Sequence, residues 1–214
     1  MTGPLLPADG PRIAGAPLQR QVVALERAVR CNPNNVAVMG WAREIALPSW
    51  YLGAGAIAQT VWSELHGFEP PRGIKDYDLV YFDPDDLSAE SEERIEATAR
   101  SELGINIDVK NEARVHLWYE AMFGRAIPSY RSAEHAITTW PTTASSIGVR
   151  YEEDRFIVCA PFGMHDLFSM IVRANPTLIH RSVYEAKTAR WSTIWPRLTV
   201  LPWPDLHEIG QDAT

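Results

Sequence analysis

The sequence of 214 residues is poor in cysteine and has no long hydrophobic run. Its two cysteines, Cys31 and Cys159, stand far apart and in no metal-ligand spacing, so a reduced, cytoplasmic protein is the simplest interpretation. No apolar stretch approaches the length of a membrane span, and the amino terminus lacks the basic-then-apolar pattern of a secretion signal. We therefore expect no membrane partner.

The sequence also lacks an excess of positive charge, with a formal net charge of -7 and only three lysines among its 20 basic residues. Residues 1–109 contain 16 acids and 9 bases, whereas residues 110–214 contain 11 of each. A protein that binds duplex DNA would show a basic face, so we expect no duplex-DNA partner. The 17 arginines suit bidentate phosphate contacts, although a genomic preference for arginine codons explains them equally well.

The composition, with 46% hydrophobic residues, is sufficient for a substantial core in one large or two small domains. Proline and glycine in residues 1–16 indicate a flexible lead. Residues 17–125 are predicted to form the core, beginning with two amphipathic helices over residues 17–31 and 33–47. Residues 126–214 are predicted to form a helical and hairpin part that packs on this core and does not fold independently, with the hairpin over residues 146–160.

The stretch over residues 49–83 organises the rest of the chain. It predicts a short strand, a turn containing Gly53 and Gly55, a helix, and a second strand that opens with Asp76-Tyr77-Asp78. Residues two apart in a strand point the same way, so both carboxylates lie on one face and repel each other unless a cation lies between them. Asp108, on the next predicted strand, adds a third acid. Three strand-borne aspartates favour a site for Mg²⁺ or Mn²⁺.

This order of a glycine turn, a helix, an Asp-x-Asp strand and a later third acid resembles the nucleotidyltransferase fold of the DNA polymerase β superfamily. With Trp62, Pro70-Pro71 and the Trp-Pro-Thr-Thr-Ala segment at residues 140–144, the sequence looks more narrowly like a bacterial group of nucleotidyltransferase-like proteins of about this length. The resemblance covers roughly residues 47–172. It implies an α+β fold with mixed α/β character: a small nucleotidyltransferase sheet flanked by helices, followed by a mostly helical and hairpin part.

The resemblance implies metal-dependent transfer of a nucleoside monophosphate from a nucleoside triphosphate to an acceptor hydroxyl, with release of pyrophosphate. Asp76, Asp78 and Asp108 would be the catalytic and metal-binding residues for Mg²⁺ or Mn²⁺. The acceptor, whether a small molecule, a protein or an RNA end, cannot be read from the sequence. The candidate nucleotide-binding residues, which lie in the turn, beside the acids and in the region after the third acid, are Gly53, Gly55, Ala56, Lys75, Lys110, Arg131, Thr142 and Thr143.

Two other interpretations remain open. Gly55 is followed by Ala56 instead of serine, which removes a hydroxyl for phosphate and favours a non-catalytic module of the same fold that binds a nucleotide or a metal ion. Separately, Gly53-x-Gly55-x-x-Ala58 matches the Rossmann dinucleotide fingerprint. The Rossmann interpretation leaves Asp76, Asp78 and Asp108 unexplained. For Arg131 and the Thr142-Thr143 turn, a purely architectural role is as good an interpretation as nucleotide contact.

Overall fold

The computed structural model of the protein describes residues 5–204. The helices are α1 (Asp9–Ala14), α2 (Leu18–Cys31), α3 (Pro33–Glu44), α4 (Ala54–His66), α5 (Ala89–Leu103), α6 (Val115–Phe123), α7 (Ala133–Ile137), α8 (His165–Phe168) and α9 (Arg181–Ile194). The strands are β1 (Tyr51–Gly53), β2 (Tyr77–Tyr81), β3 (Ile107–Asn111), β4 (Gly148–Glu152), β5 (Arg155–Cys159), β6 (Ile171–Val172) and β7 (Thr199–Val200).

A five-stranded mixed sheet in the order β3-β2-β1-β4-β5 forms the centre of the fold. The β2–β3 pair is parallel and is joined by α5, whereas the other neighbours in this sheet are antiparallel. The predicted α+β class is confirmed, as is the β4–β5 hairpin. The Rossmann alternative is wrong, because it requires parallel strands on either side of the first helix and β1 pairs antiparallel with β2.

The two predicted amphipathic helices are present as α2 and α3. Asn32 separates them and caps α3, since its side-chain oxygen accepts a hydrogen bond from the backbone N–H of Asn34 at 3.1 Å. Pro33 occupies the first turn of α3, where its missing N–H costs nothing. α3 packs against β1 and β4, and α2 packs against α4. Together they cover the sheet without contributing side chains to the cavity described below.

The amino-terminal lead contains a helix, α1, where proline and glycine indicated a flexible segment. Leu5 is only 2% exposed, and its backbone N–H donates to the Glu64 carboxylate at 3.2 Å. Gly10 permits this packing, because a Cβ atom there would lie 2.6 Å from the carbonyl oxygen of Phe168. Glycine at position 10 therefore allows two backbone segments to pack closely. In the sequence alone, glycine indicated a flexible segment instead.

The carboxyl-terminal part is fixed to the core by tryptophans. The Trp62 ring on α4 makes edge contacts with Trp191 and Trp195, with centroid distances of 5.3 and 5.8 Å. The Trp195 indole N–H also donates to Ser63 Oγ at 3.0 Å. Trp203 packs against Tyr184 at a centroid distance of 5.8 Å. Residues 205–214, which the sequence assigned to this part, lie outside the described residues.

Within residues 5–204, no helix combines the length and the apolar character that a bilayer crossing requires.

Candidate active site

The turn between β1 and α4 depends on a glycine. A Cβ atom on Gly53 would lie 2.6 Å from both the Trp140 ring and the carbonyl oxygen of Ile147, so no larger residue fits without a shift. The next residue, Ala54, has a positive φ of 50° and donates its backbone N–H to Ile147 O at 3.0 Å. This tight turn places the amino-terminal end of α4 beside β2.

Asp78 lies on β2, opposite Gly53 of β1 and in register with Asp108 of β3. Its carboxylate accepts a hydrogen bond from the backbone N–H of Gly55 and is partly exposed to a cavity. Burial raises the pKa of Asp78 to about 7, and the negative charges of Asp76 and Asp108 add to the effect. The structure therefore brings the three predicted acids into electrostatic range of one another.

Asp76 and Asp108 flank Asp78 in different ways. Asp76 directly precedes β2 and is exposed. Asp108 Oδ1 lies 2.5 Å from Lys110 Nζ, which also contacts the Glu96 carboxylate at 3.4 Å. Among residues 5–204, no three acidic, histidine or cysteine side chains are grouped closely enough to hold a metal ion as they stand. The Asp76–Asp78 pair provides the oxygen donors that Mg²⁺ prefers, whereas the Asp108 carboxylate is engaged by a lysine.

A cavity of about 270 Å³ lies over Asp76 and Asp78. Ala54 and Gly55 also line this cavity, together with residues from the second half of the chain. Its basic side chains are Lys110, Lys187 and Arg190. A groove next to it is lined by Lys75, Asp76, Lys187 and Arg190, among others. Acids and bases that line one space suit a metal-bound polyphosphate, whose charges complement both.

Two residues that line this cavity carry a buried polar atom without a hydrogen-bond partner among the described residues. They are Gln59, through its side-chain oxygen, and Trp191, through its indole N–H. A buried polar atom without a hydrogen bond costs about 1–3 kcal/mol.

Of the predicted nucleotide-binding residues, Gly55 and Lys110 line the cavity and Lys75 lines the adjoining groove. Gly53 lies beneath the Trp140 ring. Ala56, the third residue of α4, faces the core and is fully buried.

The structure places the three later candidates elsewhere. Arg131 is exposed and is absent from the cavity lining. Thr142 is fully buried, with its hydroxyl hydrogen-bonded to Ser145 Oγ at 2.7 Å, and the Thr143 hydroxyl donates to the Asp166 carboxylate at 2.6 Å. These threonine hydroxyls hold the turn before β4, which is the architectural role that the sequence left open.

Sequence reasoning missed Glu112, Lys187, Arg190 and Gln59. Glu112 continues the alternation of Asp108 and Lys110 along β3, so period-two counting could have placed it on the same face. Lys187 and Arg190 are three residues apart on α9, a spacing that puts both on one helix face. No local signal connects that helix to the acids, because the connection depends on the tertiary packing of Trp191 against Trp62.

The sequence profile of a family described as "Nucleotidyltransferase" matches residues 40–200, which is most of the chain and includes β1 to β7. The chain belongs to this nucleotidyltransferase family. No curated protein matches its sequence. Among solved structures, it is similar to one whose title states that "the NMR structure of the protein reveals a CCA-adding enzyme head domain". That similarity has a TM-score of 0.69 at 23% identity, covers 89% of this chain and 99% of the other, and shows a shared fold.

Proposed function

We propose that this member of the nucleotidyltransferase family transfers a nucleoside monophosphate from a nucleoside triphosphate to an acceptor hydroxyl and releases pyrophosphate. The observation that carries the proposal is one cavity that Asp76 and Asp78, the amino-terminal end of α4, and the bases Lys187 and Arg190 all line. Acids that bind a cation and bases that bind phosphate are both needed for this reaction, and here they face one space.

Mg²⁺ or Mn²⁺ would fit the donor set at Asp76 and Asp78, because carboxylate oxygens are the ligands that these ions prefer and two neighbouring carboxylates repel each other unless a cation offsets their charge. Bound there, the ion would supply stabilisation of the charge that develops on the α-phosphate oxygens. Asp108 would join this set after its ion pair with Lys110 opens.

The chain's own groups have distinct tasks in the proposed transfer. The end of α4 and the side chains of Lys75, Lys187 and Arg190 bind and orient the triphosphate. The acceptor oxygen forms a bond to the α-phosphorus while the bond from that phosphorus to the bridging oxygen breaks. Pyrophosphate leaves with the electron pair of the broken bond, and the acceptor's hydroxyl proton passes to the Asp108 carboxylate.

Calorimetric titration tests the site. ATP, GTP, CTP and UTP are titrated with Mg²⁺ or Mn²⁺ into the wild type and into the Asp76→Asn/Asp78→Asn double variant. We expect metal-dependent triphosphate binding that is lost in the variant. Asp83→Asn is the matched control, since Asp83 follows β2 but its carboxylate accepts the Asp85 N–H in a turn outside the cavity. Equal binding by the wild type and the double variant would overturn the proposal.

A second candidate function is nucleotide or metal binding without transfer. Two observations favour it: the Gly55 N–H is engaged by Asp78, and Asp108 is engaged by Lys110. An assay for pyrophosphate release from each triphosphate, with cell extract as the source of acceptor, separates the two functions. Metal-dependent binding without release of pyrophosphate above that of the Asp78→Asn variant would favour the binding module.

A further inference from the structure

A second cavity, of about 290 Å³, is mostly apolar. We call it the aromatic pocket. It opens beside the cavity that Asp76 and Asp78 line, which we call the acid cavity. It shares Lys110, Glu112, Trp140, Pro141 and Lys187 with the acid cavity, so the two spaces adjoin. Its volume is near the lower end of the range for small-molecule sites, about 300–1,000 Å³. Its apolar walls, which come from α6 and from the segments before α7, β4 and α9, include Trp118, Tyr119, Phe123, Tyr130, Trp140 and Leu178.

Contacts among the lining residues hold the aromatic side chains of this pocket in place. Tyr119 and Phe123 have ring centroids 4.6 Å apart, and the Tyr130 hydroxyl is hydrogen-bonded to the Thr139 hydroxyl at 2.8 Å. Phe123 nevertheless remains 46% exposed. A preformed aromatic wall with an exposed ring is typical of a site that binds a flat apolar group.

Glu112 lies where the two cavities meet. It is 6% exposed, and its carboxyl group has no hydrogen-bond partner within the described part of the chain. Buried polar groups are normally hydrogen-bonded, so this carboxyl group points to a ligand that carries a hydroxyl at the junction.

The two ends of the site differ in character. Lys75 and Asp76 stand at the start of β2, and Glu112 follows the end of the parallel strand β3. The groove at the first end has Lys75 and Arg190 for phosphate, neither of which lines the aromatic pocket at the second end, and Lys187 borders both spaces. An in-line displacement places the acceptor opposite the leaving pyrophosphate. The aromatic pocket therefore lies on the acceptor's side.

We propose that the aromatic pocket holds the acceptor, a small molecule whose hydroxyl group is attached to an aromatic ring system of one or two rings, with that hydroxyl hydrogen-bonded to Glu112. The acceptor role rests on the proposed function, whereas binding in the pocket requires no nucleotide. Phe123 and Trp118 contact the rings, and Glu112 presents the hydroxyl toward the acid cavity.

Ligand-observed NMR titration with 5-hydroxyindole and indole tests the pocket in the full-length protein without nucleotide. We expect 5-hydroxyindole to bind about tenfold more tightly than indole, as a hydrogen bond to a carboxyl group predicts. Phe123→Ala should weaken both probes about fivefold or more. Met122→Ala is the matched control, because Met122 is the neighbouring residue on α6, is 67% exposed and does not line the pocket. Glu112→Met should abolish the preference for the hydroxylated probe.

Three results would overturn the pocket assignment: no binding of either probe, equal losses in Phe123→Ala and Met122→Ala, or an unchanged hydroxyl preference in Glu112→Met. Metal-dependent ATP binding is measured on the same variants, and we expect Phe123→Ala to leave it unchanged. Displacement of 5-hydroxyindole by ATP would assign the pocket to the nucleobase and overturn the acceptor role. Failure of the wild type to bind any triphosphate would instead overturn the proposed function, while probe binding would still establish the pocket.

Discussion

Two regions of the chain contribute opposite charges to one cavity. Asp76 and Asp78, at the start of β2, supply acids from the first half, whereas α9, in the second half, supplies Lys187 and Arg190. This arrangement agrees with the uneven charge of the sequence, in which acids outnumber bases within residues 1–109. The comparison teaches that Lys110 of the sheet neutralises Asp108, and that α9 brings two further bases to the cavity that Asp76 and Asp78 line.

Removing an acid from the first half should have the largest effect. Asp78→Asn should weaken metal-dependent triphosphate binding by more than about 100-fold, because the amide is a poor ligand for a divalent cation. The same variant should be more stable to urea than the wild type at pH 8, since burial and neighbouring acids make the ionised Asp78 unfavourable in the folded state. Calorimetry and urea denaturation measure the two effects, and a variant that bound triphosphate like the wild type would break the comparison.

Removing the bases of the second half should have the next largest effect. Lys187→Ala/Arg190→Ala should weaken triphosphate binding roughly tenfold to 100-fold through lost phosphate contacts. Arg197→Ala is the control, because Arg197 is exposed just beyond α9 and does not line the cavity. Equal losses in the two variants, measured by calorimetry, would mean that overall charge and not the position of α9 governs binding.

The turn between β1 and α4, on which Trp140 and Ile147 of the second half pack, should be sensitive to one methyl group. Gly53→Ala should reduce the free energy of unfolding by about 1–3 kcal/mol, since its Cβ would overlap the Trp140 ring and the Ile147 carbonyl. Gly40→Ala on α3 should raise it by up to about 1 kcal/mol, because nothing lies within 4 Å of a Cβ there. Urea denaturation of both variants checks this contrast, and a Gly53→Ala protein as stable as the wild type would contradict the close packing of Trp140 on the turn.

The smallest expected effect concerns Glu112. Burial, with the charges of Glu92 and Asp78, raises the pKa of Glu112 to about 8 from an ordinary value of 4.5. The folded state therefore binds more protons than the unfolded state over this range, and stability falls as the pH rises from about 4.5 to 8. Glu112→Gln should make the free energy of unfolding depend less on pH between pH 5.5 and 8. Urea denaturation at both pH values measures it.

The control for that measurement is Glu93→Gln, at an exposed position on α5. It should show the pH dependence of the wild type. An unchanged dependence in Glu112→Gln would mean that Glu112 is not the group responsible.

The sheet and its acids could be predicted because their signals are local. Gly53, Gly55 and the Asp76-x-Asp78 spacing lie within one stretch of the sequence, and strand alternation alone puts the two carboxylates on one face. The cap of α7 is equally local, since the His135 N–H donates to Ser132 Oγ, three residues earlier, at 3.1 Å.

The rest of the site depends on distant packing. Lys187 and Arg190 reach the acids only because Trp191 and Trp195 dock on Trp62, more than 120 residues earlier in the sequence. Thr142 and Thr143 were candidates either for nucleotide contact or for an architectural role, and their hydroxyls are hydrogen-bonded to Ser145 and Asp166. A sequence shows that a threonine can hydrogen-bond, but the partner is decided by the fold.

The contact of Trp62 with Trp191 and Trp195 also connects two parts of the cavity lining. Trp62 lies on α4, whose first turn contains Gly55, and its ring packs against Trp191 of α9, the helix that carries Lys187 and Arg190. Trp62 does not itself line the cavity, yet its ring fixes how far the two bases lie from the amino-terminal end of α4.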